Sequence, residues 1–598
     1  MQAIILAAGM GKRLKDITDN QTKCMVKVNG KPIINHTLDI ISQYPLDRII
    51  IVIGYKGDKL REYLGESYNN IPIHYIENKI YDTTNNIYSL SLTKEMFQED
   101  DTILLESDIL FEKNIFDKLW NDDNKNTALV DKYESWMDGT VVEIDSSCNI
   151  VNFISKNDFN FNNIENYYKT INIYKFTKDF ISNKYIPFLE AYCKSHGHNE
   201  FYEQVLKIIT YLDKNNIKVC KITDGDKWYE IDNKQDLNNA ETIFSYSPEK
   251  YQNRYGGYWR FPKLIDFCYL VNPYFPSEKM ENEFKCNFST LLRQYPSGLK
   301  TQNILAARMF NCNENNIVVG NGAAEIINAL ISFLGNKKLG VVYPTFEEYP
   351  NRINKENIVK IFTKDHNFRY NVSLLKEQSD KYDNLLLINP DNPSGNFIEK
   401  EDVLELLDFL HAKNKFLILD ESFLDFAYTD KDISLLENDI INKYPNLIII
   451  KSISKSYGIP GIRLGVMVSS NEDIIKNTIK RLSIWNINSY AEFFLQIFDK
   501  YKDTYIQACK TIIQERDLLY KNLSEINFLD VLESKANYFL CKVNNIDIDY
   551  LSQYLLDRNI LIKDCSNKLG FDNEPYIRIA VKNREENQLL IDSLKSLQ

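Results

Sequence analysis

The chain has 598 residues, 44% of them hydrophobic, and a formal net charge of −12. This length exceeds one domain, and the acidic balance argues against a general nucleic-acid-binding protein. The 10 cysteines include no C-x-x-C pair, which gives no sign of a zinc site or a disulfide framework. No apolar run is long enough to span a membrane, so we expect a cytoplasmic protein.

The first part of the chain alternates short apolar segments with amphipathic ones. The predicted strands are Gln2–Leu6, Arg48–Ile53 and Thr102–Glu106, and the predicted helices are Ile33–Tyr44 and Lys56–Leu64. This alternation is typical of a doubly wound α/β domain with a parallel sheet. We therefore predict a Rossmann-like domain over residues 1–245.

A glycine-containing turn follows the first predicted strand. Gly9 and Gly11 allow the backbone to close against a ligand, with its N–H groups facing phosphate oxygens. Lys12 and Arg13 add positive charge where a triphosphate would lie, and Lys23 can reach the same centre. The predicted nucleotide-binding residues are Leu6, Ala7, Ala8, Gly9, Gly11, Lys12, Arg13 and Lys23.

Acidic residues follow at two later points of this domain. Asp108 comes just after a predicted strand, and Glu230 and Asp232 lie on one side of an extended segment. Carboxylates from two loops can hold Mg²⁺, which bridges a phosphate and an incoming nucleophile. We predict a magnesium site formed by these three residues; the alternative is a solvated acidic loop.

The string Leu6–Leu14, followed by Lys23, resembles the start of the nucleotidylyltransferases that act on sugar phosphates and choline phosphate. Thr22 stands where that family usually has proline. The segments Tyr81–Leu90 and Tyr229–Asp232 resemble the bacterial choline-phosphate cytidylyltransferase type. The resemblance implies that Lys23 is catalytic, that CTP or another nucleoside triphosphate is the donor, and that the acceptor is a phosphorylated or phosphonated small alcohol or amine.

Two adjacent asparagines within that segment have two interpretations. Asn85 and Asn86 would either contact the acceptor or the ribose, or cap the start of a helix. After residue 245 the periodic pattern stops. We place a junction at residues 246–262 and a second α/β domain at 263–598.

A lysine follows a β-branched run in this second domain. Leu447–Ile450 reads as a buried strand, and Lys455 lies between small hydroxyl residues after it, with Arg463 further along. A lysine that attaches a carbonyl cofactor needs a fixed, partly desolvated position near a cation that binds phosphate. The segment resembles the pyridoxal-phosphate lysine region of the aspartate aminotransferase superfamily, whose domain has fold type I.

The remaining residues that this cofactor requires occur in the order of that superfamily. The resemblance implies that Gly322, Ala323, Ala324, Ser452, Ser454 and Arg463 hold the phosphate, and that Phe346 stacks on the ring. Asn392 would donate to the ring hydroxyl and Asp420 would pair with the ring nitrogen. Tyr295 would reach the phosphate of a partner subunit in a homodimer, and Arg578 would bind the substrate carboxylate.

One residue departs from that pattern, because Phe423 stands where many relatives have a tyrosine that contacts the ring hydroxyl. Asn392 would then make that contact alone. Within the superfamily, the segments Gly458–Gly461 and Trp485–Asn488 resemble the branch of histidinol-phosphate aminotransferase and threonine-phosphate decarboxylase. The sequence leaves transamination and decarboxylation open.

Together these features predict a bifunctional enzyme. The second domain would form a small amine carrying a phosphate or phosphonate, and the first would couple it to CMP from CTP, for decoration of a lipid or surface polysaccharide. Two alternatives stay open. The first domain would act on a sugar phosphate or choline phosphate and be fused to an unrelated aminotransferase, or one domain would be an inactive scaffold.

Overall fold

The computed structural model describes residues 1–223, 225–245, 247–428 and 430–598, and the structural statements below concern those residues. The chain forms two compact units, Met1–Lys263 and Leu264–Gln598. Tyr246, the first residue of the predicted junction, lies outside the described residues. Among the helices of the described part, none is both long and apolar enough to cross a membrane.

The first unit is built on a mixed sheet with two small strand pairs beside it. Its strands are β1 (Gln2–Ala7), β2 (Lys27–Val28), β3 (Lys31–Pro32), β4 (Arg48–Ile53), β5 (Ser67–Tyr68), β6 (Ile71–Glu77), β7 (Thr102–Glu106), β8 (Ile109–Phe111), β9 (Thr127–Lys132), β10 (Val141–Ile144), β11 (Ile150–Ile154), β12 (Tyr168–Phe176), β13 (Lys218–Lys221) and β14 (Trp228–Glu230). The order in the described sheet is β11-β10-β12-β7-β1-β4-β6-β5, and β9 pairs with β12 and β13.

The sheet is parallel only in part, in contrast to the all-parallel sheet that the sequence predicts. Strands β6, β4, β1 and β7 are parallel, whereas β12 joins β7 in the antiparallel sense. Helices link the parallel strands, but β10 and β11 form a hairpin, and a short connection gives antiparallel neighbours. The three predicted strands are confirmed, and the predicted helices are confirmed with shorter ends.

Helices cover the sheet of the first unit. They are Ile33–Ile41, Gly57–Leu64, Asn86–Ser91, Lys94–Phe97, Lys113–Trp120, Lys178–Phe180, Ile186–His196, Glu203–Leu212, Lys234–Ile243 and Pro248–Gln252. Alternate residues of β1 pack on opposite faces of the sheet, Ile5 in one cluster and Ile4 in the other. Both faces are therefore buried, and each fully buried isoleucine or leucine contributes about 2 kcal/mol.

The second unit contains a larger sheet, a smaller one and one strand pair. Its strands are β15 (Ile265–Asp266), β16 (Ile317–Asn321), β17 (Leu339–Tyr343), β18 (Ile358–Phe362), β19 (Asn384–Ile388), β20 (Phe416–Asp420), β21 (Leu447–Ser452), β22 (Leu464–Val468), β23 (Leu529–Val531), β24 (Tyr538–Val543), β25 (Ile560–Leu561), β26 (Lys563–Asp564) and β27 (Tyr576–Ala580). The larger described sheet has the order β16-β22-β21-β20-β19-β17-β18, and the smaller one has the order β23-β24-β27-β26.

Among the described strands of the larger sheet, only β22 runs against its neighbours, so the carboxyl ends of the other strands share one edge. The helices of this unit are Glu278–Arg293, Leu299–Phe310, Gly322–Leu334, Val372–Glu377, Lys400–Ala412, Asn438–Lys443, Glu472–Arg481, Ser489–Ile497, Lys502–Leu523, Ile548–Leu556 and Arg584–Lys595. The α/β class predicted for both halves of the chain is confirmed.

Candidate functional site

The first candidate site lies at the carboxyl ends of β1 and β7, which are parallel neighbours. The glycine loop continues from β1, and Asp108 follows β7. Strand β14 then pairs with β8 so that Glu230 lies opposite Ile109, and the Ile231 N–H donates to the Asp108 carbonyl at 3.0 Å. The small β8–β14 pair therefore brings together carboxylates from distant parts of the chain.

Three of these carboxylates form a compact group around Lys23. Ligand oxygens of Asp108, Glu230 and Asp232 all lie within 4.8 Å of one another. The Lys23 Nζ donates to Asp108 Oδ2 at 2.5 Å and to Asp232 Oδ1 at 2.8 Å. Arg13 also contacts Asp232, with 2.9 Å between Nη2 and Oδ1. The residues predicted to bind the metal and the triphosphate therefore lie in one cluster.

The glycine loop positions Lys23. Gly11 has a φ of +62°, and a Cβ there would lie 3.1 Å from the Cβ of Lys23 and from Cγ2 of Thr18. A larger residue would therefore be strained and would displace the lysine. Thr22, which replaces the proline of the related sequences, has φ −72° and ψ 157°. Proline favours the same φ, so the substitution leaves the backbone conformation unchanged.

A cavity of about 890 Å³ opens beside this cluster. Of the predicted nucleotide-binding residues, Leu6, Ala8, Gly9, Gly11, Lys12, Arg13 and Lys23 line it. Ala7 is the exception, because its side chain packs in the core on the opposite face of β1. The alternation of side chains along a strand explains the difference, and the prediction of Ala7 as a nucleotide-binding residue then concerns its backbone.

The side chains of both asparagines make hydrogen bonds within the protein. Asn85 caps the helix Asn86–Ser91 and accepts a hydrogen bond from the Asn86 N–H. The side-chain amide of Asn86 donates to Glu106 Oε1 at 3.0 Å, and its Oδ1 accepts from the Tyr202 N–H at 3.0 Å. The capping interpretation is confirmed for Asn85, whereas Asn86 orients a carboxylate of the cavity wall.

Burial and charge act in opposite directions on Lys23. Burial alone would lower its pKa, but the carboxylates of Asp108 and Asp232 outweigh burial and raise it. Burial raises the pKa of Glu230, and Lys169 opposes this effect from 3.5 Å. Lys23 therefore stays charged, and an anionic phosphate entering the cavity meets a fixed cation.

The carboxylate group fits a hard divalent cation. Asp108 Oδ1 is buried and has no hydrogen-bond partner among the described residues. Together with the carboxylates of Glu230 and Asp232, this oxygen offers the ligand type that Mg²⁺ prefers.

The second candidate site lies at the carboxyl edge of the larger sheet in the second unit. Strands β16, β19, β20 and β21 end there. Asp420 is the last residue of β20, and Gly322, Asn392 and Lys455 follow β16, β19 and β21, respectively. Arg463 directly precedes β22, which pairs with both β16 and β21. The topology therefore gathers residues that are far apart in sequence.

Lys455 lies in a positively charged environment. Burial, followed by the charges of Arg578 and Arg463, lowers the pKa of Lys455 to about 8. Asp420 acts in the opposite direction. Backbone contacts fix the segment, since the Lys455 carbonyl accepts from the Asn272 N–H at 3.0 Å and from the Gly458 N–H at 3.2 Å. The lysine is held in place with an amine that is readily deprotonated.

Gly322 and Arg463 form a cradle at the start of the helix Gly322–Leu334. The Gly322 N–H donates to the Arg463 carbonyl at 3.1 Å. Gly322 has a φ of +70°, and a Cβ there would lie 2.6 Å from Arg463 Nη2. Ser454 adds a buried Oγ that has no hydrogen-bond partner among the described residues. A helix N-terminus, an arginine and a free hydroxyl suit a phosphate group.

Two pairs of side chains orient the remaining polar groups of this site. Tyr349 donates to Asp420 Oδ2 at 2.7 Å, and the Ser422 N–H donates to Asp420 Oδ1 at 2.9 Å. Arg578 donates from Nη1 to Asn392 Oδ1 at 2.8 Å and from Nη2 to the Cys268 carbonyl at 2.7 Å. The Arg578 Nε is buried without a partner among the described residues, and the Asn392 amide nitrogen is left to donate.

The aromatic residues occupy different positions. Phe346 is 42% exposed, whereas Phe423 is buried and packs edge-on against Tyr538 with ring centroids 5.2 Å apart. Tyr295 is 77% exposed and stacks on Trp485 at 4.5 Å. Ala323 and Ala324 lie in the first turn after Gly322, and Ser452 ends β21.

Several residues that surround the two sites were not predicted from the sequence. Tyr349 lies in the same short segment as Phe346, but only the tertiary structure shows that it reaches Asp420. Glu106 and Glu203 line the first cavity, yet each reads in the sequence as an ordinary residue of a strand end or a helix start. The available sign for Glu106 was an acid at the end of a predicted strand, directly before Ser107 and Asp108.

Comparison with known proteins assigns each half of the chain. The model of the class I and II aminotransferase family matches residues 282–594, and the nucleotidyl transferase model matches residues 2–245. CMP-5'-(3-aminopropyl)phosphonate synthase of Streptomyces rubellomurinus is 28% identical over 607 residues, covering 100% of this chain and 95% of the relative.

Two further relatives match the second half alone. L-serine phosphate decarboxylase of Campylobacter jejuni is 32% identical, covering 55% of this chain and 87% of the relative. The crystal structure of histidinol-phosphate aminotransferase from Clostridium acetobutylicum has a TM-score of 0.51 at 28% identity, covering 56% of this chain and 99% of that protein. The Streptomyces synthase is similar along the whole chain. The decarboxylase and the aminotransferase are similar over its second half.

Proposed function

Because the chain belongs to the class I and II aminotransferase family through residues 282–594 and carries a nucleotidyl transferase domain over residues 2–245, we propose that it makes and then activates one small amine. The second unit forms an amine that carries a phosphate or phosphonate. The first unit transfers CMP from CTP to the phosphoryl oxygen of that amine and releases pyrophosphate. The product is a CMP-linked amine for decoration of a lipid or surface polysaccharide.

One observation carries this proposal: a single chain holds a lysine site suited to amine chemistry and a carboxylate–lysine site suited to phosphates. Both sites keep the charged residues that their proposed chemistry needs, whereas an inactive scaffold domain could lose them. Similarity along the whole chain to an enzyme named for a CMP-linked aminophosphonate supports the same pairing of reactions.

The residues of the second unit fit pyridoxal phosphate, and Lys455 would attach it. Gly322, Ala323, Ala324, Ser452, Ser454 and Arg463 would hold its phosphate, Asp420 its ring nitrogen, Asn392 its ring hydroxyl and Phe346 one face of the ring. When bound, this cofactor stabilises negative charge on the α-carbon of an attached amino acid.

In the second unit, Arg578 and Lys455 act on the substrate. Arg578 binds the substrate carboxylate, and its contacts with Asn392 and the Cys268 carbonyl fix the orientation of its guanidinium plane. Lys455 Nζ carries a proton to or from the α-carbon. A pKa of about 8 suits that task, because both protonation states are populated near neutral pH.

We propose decarboxylation as the favoured reaction of the second unit and transamination as the second candidate. The L-serine phosphate decarboxylase relative favours the first, and the histidinol-phosphate aminotransferase structure favours the second. Phosphoserine and phosphonoalanine serve as test substrates for decarboxylation, and phosphonoacetaldehyde with an amino donor serves as the test substrate for transamination. Release of carbon dioxide from either amino acid supports decarboxylation, whereas formation of the amine from the aldehyde only when an amino donor is present supports transamination.

In the first unit, Asp108, Glu230 and Asp232 would hold Mg²⁺, which neutralises charge on the triphosphate. Lys12 and Arg13 bind the outer phosphates, and Lys23 contributes a cation at the phosphate that is attacked. Its hydrogen bonds to Asp108 and Asp232 hold the ammonium group next to the carboxylates. The phosphoryl oxygen of the acceptor attacks the α-phosphate of CTP, and pyrophosphate leaves.

Pyrophosphate release tests this half of the proposal. The protein is incubated with Mg²⁺, each of the four nucleoside triphosphates and a panel of acceptors: ethanolamine phosphate, aminoethylphosphonate, serinol phosphate, choline phosphate and a hexose 1-phosphate. We expect the highest kcat/KM with CTP and a phosphorylated or phosphonated primary amine. A preference for choline phosphate or the sugar phosphate would leave two enzymes with unrelated substrates.

The proposal includes a homodimer that assembles through the second unit in the cytoplasm, where CTP is available. Tyr295 is exposed and stacks on Trp485, which keeps its ring in a fixed orientation at the surface. This arrangement supports its role as a phosphate contact for the partner's cofactor. Sedimentation and cofactor retention of Tyr295→Ala test it, and we expect a dimer with weaker cofactor binding. A wild-type monomer with full activity would contradict the dimer.

A further inference from the structure

The wall of the nucleotidyl transferase cavity contains carboxylates beyond those of the metal cluster. Glu203 begins the helix Glu203–Leu212, lines the cavity and is only 6% exposed. Its Oε2 is buried and has no hydrogen-bond partner among the described residues. Glu106, at the end of β7, lines the same cavity. An unpartnered buried carboxylate oxygen that borders a cavity is unfavourable unless a ligand supplies the missing donor.

Asn86 fixes these two acids relative to each other. Its Oδ1 accepts a hydrogen bond at 3.0 Å from the N–H of Tyr202, the residue before Glu203. Its amide nitrogen donates at 3.0 Å to Glu106 Oε1. One short side chain therefore ties the start of the helix to the carboxylate at the end of β7. The two acids form a preorganised pair in the cavity wall.

The electrostatics around Glu203 suit a bound cation. Burial raises the pKa of Glu203 to about 7, and Lys169 only partly opposes this effect. Lys169 lies 3.5 Å from Glu230 and donates to the Thr170 carbonyl at 2.6 Å. A cation placed between Glu106 and Glu203 would favour their charged forms.

We propose that Glu106 and Glu203 bind the primary ammonium group of the acceptor and thereby select amines over neutral acceptors. The inference rests on the proposed function, because it assigns the far end of the same acceptor whose phosphoryl oxygen attacks CTP. Asp108 follows Glu106 by one intervening residue, and Asp108, Glu106 and Glu203 line the same cavity, so one small acceptor can place its phosphoryl end at the metal cluster and its ammonium end at the pair.

The chemistry of the pair distinguishes among nitrogen groups. A primary ammonium ion has three N–H donors and can satisfy oxygens of both carboxylates with charge-assisted hydrogen bonds. A quaternary ammonium ion has no N–H donor, and a hydroxyl group has one donor and no charge. Because unpaired carboxylates would remain buried when such acceptors bind, the pair discriminates against choline phosphate and against phosphate esters of diols.

The test compares two acceptors that differ only in the terminal group, ethanolamine phosphate and 2-hydroxyethyl phosphate. The ratio of their kcat/KM values, measured by pyrophosphate release with CTP and Mg²⁺, does not depend on the fraction of folded enzyme. Glu203→Gln and Glu106→Gln remove one charge each at nearly constant volume. Asp82→Asn is the matched control, because Asp82 is an exposed carboxylate that also borders the cavity.

We expect the amine-to-hydroxyl ratio to fall by about tenfold or more in each glutamine variant and to stay unchanged in Asp82→Asn. Turnover of 2-hydroxyethyl phosphate and binding of CTP should persist in the variants, which shows that they are folded. An unchanged ratio in both glutamine variants would overturn the inference and leave Glu203 with the ordinary role of an acid at a helix start. Failure of the proposed function gives a different result, since the wild-type protein would then turn over neither acceptor.

Discussion

The Lys23 Nζ donates a 2.8 Å hydrogen bond to Asp232 Oδ1, although the two residues come from opposite ends of the nucleotidyl transferase domain. Asp232 belongs to the carboxylate group that would hold a magnesium ion, and the same Nζ contacts Asp108 of that group. Lys23 neutralises part of the charge of these carboxylates. When a divalent cation binds the carboxylates, the Lys23 ammonium group can contact the triphosphate instead. Lys23 and the proposed metal ligands therefore form one electrostatic unit.

The first prediction concerns this unit. Asp108→Asn and Asp232→Asn should each lower Mg²⁺-dependent pyrophosphate release by about a hundredfold or more, because the clamp on the triphosphate loses a charged ligand. The chemistry of the second unit should stay unchanged. Asp58→Asn, an exposed position in the same domain, serves as the control. Either metal-site variant with wild-type transfer rates would remove its residue from the site.

Lys455→Ala provides the complementary prediction. Without the amine, the protein should lose the visible absorbance that bound pyridoxal phosphate gives and should lose amine formation. Pyrophosphate release from CTP with a supplied amine phosphate should continue, because the lysine lies in the other unit. Loss of both activities in a protein with a wild-type circular dichroism spectrum would argue against two separate sites.

The pH dependence of cofactor attachment follows from the pKa of Lys455, which burial and the charges of Arg578 and Arg463 lower to about 8. Only the deprotonated amine attacks a carbonyl, so the rate at which the apoprotein takes up pyridoxal phosphate should rise with pH and level off above about pH 8. Arg578→Met removes a repelling charge and should shift the midpoint to higher pH.

Stopped-flow absorbance measures this uptake. Arg481→Met changes an exposed arginine of the same unit and should leave the midpoint in place. A midpoint near that of an ordinary lysine in the wild-type protein would show that the amine is not desolvated as the structure indicates.

Tyr349→Phe tests the support of Asp420. The tyrosine donates to Asp420 Oδ2 at 2.7 Å, and both side chains are buried. Loss of the hydroxyl leaves a carboxylate oxygen without its donor, which should cost about 1–3 kcal/mol of unfolding free energy. The pKa of Asp420, already raised by burial, should rise further, so the ring nitrogen of the cofactor is held less well.

Chemical denaturation and cofactor titration measure the two effects of this variant. Tyr382→Phe is the matched control, because Tyr382 is also buried and donates to the Leu375 carbonyl at 2.8 Å. It should lose stability without a change in cofactor affinity. Equal cofactor affinity in both variants would show that Tyr349 supports the fold alone.

Much of the fold was predictable because the strands are short apolar runs with polar or glycine-containing ends. Lys455 and Asp420 each follow or end such a run, and the rule that parallel strands share a carboxyl edge predicts that they meet. The side chain of Ala7 does not line the cavity because consecutive strand residues face opposite sides, and the position of the turn decides which side faces the cavity. The antiparallel part of the first sheet was missed for a similar reason, since strand direction depends on which connections form hairpins.

Sequence patterns did not predict the contacts that orient the site residues. Asn86 donates to Glu106, and Arg578 donates to Asn392, across long separations in the chain. These pairs depend on strand order and on the packing of loops against one another, which leave no periodic trace in the sequence. Phe423 was noted as a departure, but only the structure shows that its ring fills a buried position against Tyr538.

The central claim is that both units act on the same amine, and a coupled reaction tests it most directly. The protein is given phosphoserine or phosphonoalanine together with CTP, Mg²⁺ and pyridoxal phosphate, and the products are identified by mass spectrometry. We predict a CMP-linked primary amine from the wild-type protein, none from Lys455→Ala or Asp108→Asn alone, and restored product when these two variants are mixed. Formation of the free amine without its CMP-linked form, while choline phosphate or a hexose 1-phosphate is readily coupled, would contradict the claim.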